Sequence, residues 1–206
     1  MKATMKTLSA ILICCFISTI QMYGENIQRP ESENYVKGVE ALNEGNPEAA
    51  YTYLNAEINW HPDNGYAHCY MALICNFCND TKLALQALNS SLELIPEADT
   101  EYRSFAHYSR GVLLTNLKMW ERAEADLNEA IRLNPEDVEN YKSRAQRYFE
   151  TERYEESLDD LTRALKLDSK ADVNDLVLQL MAVAPTSEFM ERITATYQQL
   201  DQVTIH

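Results

Sequence analysis

With 206 residues, of which 46% are hydrophobic and 24% charged, the chain is long enough to bury the core of one ordinary domain. Its 5 glycines and 6 prolines are too few for a turn-dense β protein, and the recurrence of Ala, Leu, Glu and Asn predicts an all-α fold. A formal charge of -14 without a concentrated basic face excludes nucleic acid as the expected partner, because phosphate binding needs clustered Lys and Arg; the acidity reads as a solvated surface.

The first element in chain order differs from everything after it. Lys2 and Lys6 precede LSAILICCFISTI, an uncharged apolar run of 13 residues, and polar sequence begins at Gln21. This is the layout of a secretory signal peptide, and the run is shorter than the ~20 residues a membrane-spanning helix needs. Cleavage is expected after Gly24, giving a leader over 1–24 and a short linker over 25–30. Cys14 and Cys15 follow Ile13 and Cys14, not the small residue that resembles a bacterial lipoprotein signal, so lipidation is disfavoured. The expected location is periplasmic or secreted, with membrane contact only through an uncleaved or lipidated leader.

The rest of the chain is organised by self-similarity. Pro62 and Pro96 stand 34 residues apart, each closing a similar block. The first block carries Gly38, Ala50, Leu54 and Pro62, and the second carries Ala72, Ala84, Leu88 and Pro96 in the same places. The third gives Gly111, Ala123, Leu127, Ala130 and Pro135 after five extra residues, Asp99 to Arg103. The fourth gives Tyr141, Ala145, Tyr148, Ser157, Leu161 and Ala164, with Ser169 where proline stood. Each block holds two apolar-periodic stretches divided by a turn, NEGNPE in the first, NFCNDT in the second and ETERY in the fourth. The small residues Gly38, Ala72, Gly111 and Ala145 are expected to face Ala50, Ala84, Ala123 and Ser157 where paired helices cross closely. Asn46 before Pro47 reads as a helix cap with proline at the first helical position.

These blocks resemble the tetratricopeptide repeat family, most clearly in GVLLTNLKMWERAEADLNEAIRLNP and YKSRAQRYFETERYEESLDDLTRALKLD. The first aromatic position of the pattern departs from it, holding Asn34, His68 and His107. The resemblance implies an all-α, right-handed α-solenoid of stacked antiparallel helix pairs, with repeats at about 31–64, 65–98, 104–137 and 138–171 in a domain over 31–206. Residues 172–206 are expected to form a degenerate closing pair of helices divided near Pro185, with Leu176, Leu180 and Val183 on the last repeat and Glu188, Arg192 and Gln198 toward water.

The resemblance also implies a concave face lined by the first helix of each repeat. At its recurring positions stand Tyr35 in the first block, then Tyr66, Cys69, Leu73 and Phe77 in the second. Phe105, Tyr108, Val112 and Asn116 follow in the third, and Lys142 and Gln146 in the fourth. Family members that clamp the carboxylates of chaperone tails place Lys and Asn there; only Lys142 and Asn116 fit loosely, so chaperone-tail binding is disfavoured. Aromatic lining suits an extended peptide or a partner helix.

Cys69, Cys75 and Cys78, with His68 nearby, raise metal and redox chemistry. Cys75 and Cys78 have CxxC spacing but no neighbouring strand pattern, and a zinc site lacks a second cysteine pair, so buried or semi-buried thiols are expected, with a structural disulfide as the alternative. No nucleophile–base pattern or phosphate loop is written in the chain, so no catalytic residue, metal or cofactor is expected. The function expected is a non-enzymatic scaffold or adaptor binding a protein or peptide partner in an aromatic groove. The alternatives are an accessory subunit docking by its outer face and, third, a thiol redox or metal protein through Cys75 and Cys78.

Overall fold

In the computed structural model, which describes residues 27–184 and 186–203, ten α-helices follow one another with no strand among the described residues. The expected leader lies outside the described residues. The helices are α1 (Glu33–Asn43), α2 (Pro47–Trp60), α3 (Gly65–Phe77), α4 (Thr81–Leu94), α5 (Thr100–Asn116), α6 (Trp120–Leu133), α7 (Val138–Glu150), α8 (Tyr154–Leu167), α9 (Asn174–Val183) and α10 (Ser187–Val203). Two compact units divide within α5, one ending at Ser109 and the other beginning at Arg110.

Local chemistry sets the helix ends. Asn46 accepts from the Ala49 N–H at 3.1 Å with Pro47 at the first helical position, Asn64 accepts from Ala67 at 3.1 Å, and Asp80 accepts from Leu83 at 3.0 Å. Inside each of the first four helical hairpins one residue lies in the left-handed region: Gly45 (φ 72°), Asn79 (61°), Lys118 (58°) and Glu152 (60°). The following N–H reaches back five residues, Asn46 to the Ala41 carbonyl at 2.8 Å, Asp80 to Cys75 at 2.8 Å, Met119 to Leu114 at 2.9 Å and Arg153 to Tyr148 at 2.9 Å. This reversal satisfies orphan carbonyls at the end of the first helix and starts the second in one step. Only the first turn supplies the glycine that this backbone favours.

In the first unit, α1 packs on α2 and α3 on α4. A Cβ on Gly38 would stand 2.6 Å from Leu54 Cγ, and Ala50 and Ala84 are fully buried, so the small residues do mark helix crossings. The five extra residues, Asp99 to Arg103, supply the opening turn of α5, which has 17 residues where α3 and α7 have 13. Arg103 holds that turn in place by donating to the carbonyls of Leu92 at 2.8 Å and Ile95 at 3.0 Å at the end of α4.

The second unit repeats the crossing geometry. A Cβ on Gly111 would stand 2.7 Å from Leu127 Cγ, and Ser157 Oγ donates to the Ala145 carbonyl at 2.9 Å. Arg110 forks onto Asp126 and Arg144 onto Asp160, every N···O distance being 2.7 Å, so one two-pronged ion pair recurs after 34 residues. At its end, Leu176, Val177, Leu180, Phe189 and Ile193 of α9 and α10 join Leu158, Leu161 and Leu165 of α8 in one core. Val183 departs from the expectation: it is 39% exposed, and Val177 takes the buried place. Helical spacing identifies the right face, but the last turn of α9 runs past the surface it covers.

Candidate binding face

Each unit presents its own share of the recurring first-helix positions. On α3, Tyr66, Cys69, Leu73 and Phe77 follow one another at helical spacing, yet their exposure differs sharply. Phe77 is 44% exposed and Leu73 partly exposed, while Tyr66 is buried and Cys69 has no exposed surface. Phe105 and Tyr108 of α5 are partly exposed, with ring centroids 6.3 Å apart in a stacked arrangement. Cys69 is therefore no contact residue: it has no exposed surface, and burial pushes its thiol up to about 12. Tyr35 is buried as well and packs its ring 6.1 Å from that of Tyr70.

In the second unit, Val112, Lys142 and Gln146 are partly exposed and Asn116 is exposed. Lys142 Nζ bonds Glu139 at 2.8 Å and Gln146 bonds Glu150 at 2.9 Å, so both are already held by acids one turn away. Such pairs on an open helix surface are weak, and the side chains stay available. Tyr148 lies within a cluster of charged groups. Arg153 lies 4.3 Å above its ring, and Glu124 receives Arg147 at 2.6 Å and Arg153 at 3.2 Å.

The buried tyrosines belong to a cluster in the first unit that the repeat pattern does not announce. Tyr66 donates to Asp99 Oδ2 at 2.9 Å, Tyr70 and Tyr102 share a hydroxyl–hydroxyl bond of 2.9 Å, and the Tyr66 and Tyr102 rings meet edge to face at 4.8 Å. Arg29, from the segment before α1, completes it. Its Nε and one terminal nitrogen donate to the two Asp99 oxygens at 3.1 and 3.2 Å, that nitrogen also reaches Glu101 at 2.9 Å, and its guanidinium lies 4.5 Å from the Tyr102 ring centroid. Burial works against the Arg29 charge, but the bonds to Asp99 and Glu101 outweigh it and hold Arg29 protonated beyond its usual range. Burial likewise pushes the Tyr35, Tyr66, Tyr70 and Tyr102 hydroxyls up. Sequence reasoning missed Arg29, Asp99, Glu101 and Tyr102, although the insertion that carries three of them was visible as a break in the 34-residue period.

The expectation of buried or semi-buried thiols holds at Cys69 and Cys75, whereas Cys78, just past the end of α3, is exposed. Cys69, Cys75 and Cys78 are free thiols, and burial, then Asp80 and Cys78, pushes the Cys75 thiol up, which disfavours the thiolate a redox nucleophile needs. Among the described residues no group of three or more His, Cys, Asp or Glu side chains is placed to hold a metal ion, and no helix is long and apolar enough to cross a membrane.

Comparison with known proteins bears on this geometry. Residues 104–137 match the family described as tetratricopeptide repeat. A stretch of 87 residues, 42% of this chain, is 31% identical to the lipoprotein NlpI homolog of Haemophilus influenzae and spans 28% of that protein. Among solved structures, MamA (residues 41 to the end) from Desulfovibrio magneticus RS-1 superposes with a TM-score of 0.66 at 18% identity, over 83% of this chain and 93% of that one. YrrB, described as a TPR protein with an unusual peptide-binding site, gives 0.60 at 20% identity, over 71% of this chain and 73% of its own. At these identities the structural likeness speaks to the fold alone.

Proposed function

We propose that this chain, whose fold is the all-α tetratricopeptide-repeat solenoid, is an exported, non-enzymatic scaffold that binds an extended peptide or partner helix on its first-helix face. The observation that carries the reading is the partly exposed apolar and aromatic set Leu73, Phe77, Phe105 and Tyr108 on α3 and α5. Large apolar side chains left open to water on adjacent first helices favour a covering partner, and aromatic anchors give much contact area at low entropic cost. Val112, Asn116, Lys142 and Gln146 supply a more polar share of the same recurring positions in the second unit. Export is supported by the leader-like sequence of residues 1–24 and by the partial likeness to a protein described as a lipoprotein.

Replacing Phe77 and Tyr108 together by Ala tests the face, because neither is deeply buried and the fold survives the change; circular dichroism checks that it does. Capture of the partner from the native compartment is expected to drop by about tenfold or more, as for loss of two anchors. Undiminished capture by a folded double variant would reject the groove. Tyr66 is left out of this test, since its hydroxyl is bonded to Asp99 and its loss would damage the core.

A second reading rests on a different observation. Trp60 is 78% exposed and Tyr51 45% exposed, both on α2, a second helix of its pair, so the outer side of the first unit carries large apolar groups of its own. A permanent accessory subunit would dock there, and Trp60→Ala would then abolish association that the Phe77 and Tyr108 changes leave intact.

A further inference from the structure

The five inserted residues lengthen α5 and, in the same step, set Asp99, Glu101 and Tyr102 beside Tyr66. What occupies the recess so formed comes from outside the repeats. Arg29 belongs to an arm of which residues 27–31 form no backbone–backbone hydrogen bond with other described residues; its side chain supplies the polar hold on the helices, and Ile27 and Pro30 beside it are partly buried.

Every contact in the recess matches a guanidinium and not merely a positive charge. The fork of Arg29 meets both oxygens of Asp99, whose side chain is 1% exposed, a second carboxylate lies at 2.9 Å, and the flat face stacks on Tyr102. An ammonium group would bring a point charge with neither fork nor plane. Asp99 is itself fixed, because its other duties are to accept from Tyr66 and from the Tyr102 backbone N–H at 3.3 Å.

We propose that this recess is an arginine-recognition site at the edge of the binding face, where Arg29 is a resident occupant that gives way to an arginine in an extended segment of the partner. The proposal rests on the peptide-binding reading above and adds the partner's chemistry: an arginine close to apolar residues that reach Leu73 and Phe77. The net charge of -14 favours approach of such a basic segment. The tethered Arg29 competes at an effective concentration of order millimolar, so a lone arginine fails to displace it and a segment with additional contacts succeeds.

The test uses the full mature chain and a labelled peptide with the sequence of residues 27–32, followed by fluorescence anisotropy. The Arg29→Ala chain is expected to bind this peptide at least about tenfold more tightly than the unaltered chain, whose own arm competes. A peptide with citrulline in place of its arginine, or the double variant Arg29→Ala, Asp99→Asn, in which asparagine keeps the helix cap, is expected to lose that binding. Arg29→Lys runs in parallel in case Arg29→Ala does not fold, and it also opens the site, because the ammonium competes poorly. Equal binding by unaltered and Arg29 variants, or equal binding of the citrulline peptide, would overturn the proposal. So would a dimer of the unaltered chain held by exchanged arms, seen in size-exclusion chromatography and lost on Arg29→Ala. Failure of the face reading is distinguishable: it shows as undiminished partner capture by the Phe77 and Tyr108 variant and leaves the peptide titration unchanged.

Discussion

At the scale of single residues, the crossings at Gly38 and Gly111 leave no room for a methyl group. Leu127 is fully buried, and the Cβ of an alanine at position 111 would stand 2.7 Å from its Cγ. Gly111→Ala gains up to ~1 kcal/mol of helix propensity but forces a packed neighbour aside, which costs about 1–3 kcal/mol, so net destabilisation of about 1 kcal/mol is expected in urea unfolding. The recurring ion pairs make a larger difference. Asp160 lies buried with both oxygens on Arg144, and burial, which exceeds the effect of Arg144, pushes its carboxyl up. Asp160→Ala leaves the partly exposed Arg144 guanidinium with Asn128 as its remaining side-chain acceptor, and a loss of about 2 kcal/mol is expected, whereas Asp160→Asn keeps one acceptor and loses less.

The element that recurs is the helical hairpin, and its turn is where sequence and backbone disagree. The left-handed residue is Gly45 in the first hairpin but Asn79, Lys118 and Glu152 in the others. An L-residue other than Asn or Asp in that region costs roughly 1 kcal/mol or more. Lys118→Gly and Glu152→Gly are expected to raise stability by a few tenths to about 1 kcal/mol, the gain being reduced by the greater freedom of glycine in the unfolded chain. Gly45→Ala is expected to act in the opposite direction, and melting temperatures of the three variants decide the matter. The insertion in α5 shows how an element can stay helical while acquiring a new role, since the added turn continues the helix but directs Asp99, Glu101 and Tyr102 toward Arg29.

For the molecule as a whole, the tyrosine cluster sets an alkaline limit. The hydroxyls of Tyr35, Tyr66, Tyr70 and Tyr102 ionise above the ordinary tyrosine value in the folded chain, because burial disfavours the phenolate. The folded state therefore keeps protons that the unfolded state releases. Stability is present in full below about pH 10, the unfolded value, and falls as pH rises from there through the folded values. Absorbance titration of the tyrosines is expected to show an exposed fraction ionising near pH 10 and a second fraction ionising only with loss of helicity. A single reversible step for all of them, with helicity intact, would contradict the cluster. At the C-terminal end, removal of residues 174–206 would strip Val177, Leu180, Phe189 and Ile193 from Leu158 and Leu161. The shortened chain is expected to aggregate or melt earlier, because a repeat end without its cap exposes apolar surface.

Whatever depends on neighbours one helical hairpin away is legible in the chain alone. The all-α class, the 34-residue period, the seats of Gly38 and Gly111, the Asn46 cap and the buried Leu176 and Leu180 depend on local periodicity and the size of side chains, and all can be read from residues a few turns apart. The insertion at Asp99 to Arg103 is visible in the same way, but its use is not. Which first-helix side chains reach the surface is settled by packing in three dimensions. Tyr35, Tyr66 and Cys69 share the spacing of Leu73 and Phe77, but a stripe on such a helix borders both its packed neighbours and water, and periodicity cannot separate the two. Nor could it bring Arg29 to Asp99 across 70 residues, since a contact between segments so distant is fixed by how the intervening helices stack and not by any pattern in the chain between them.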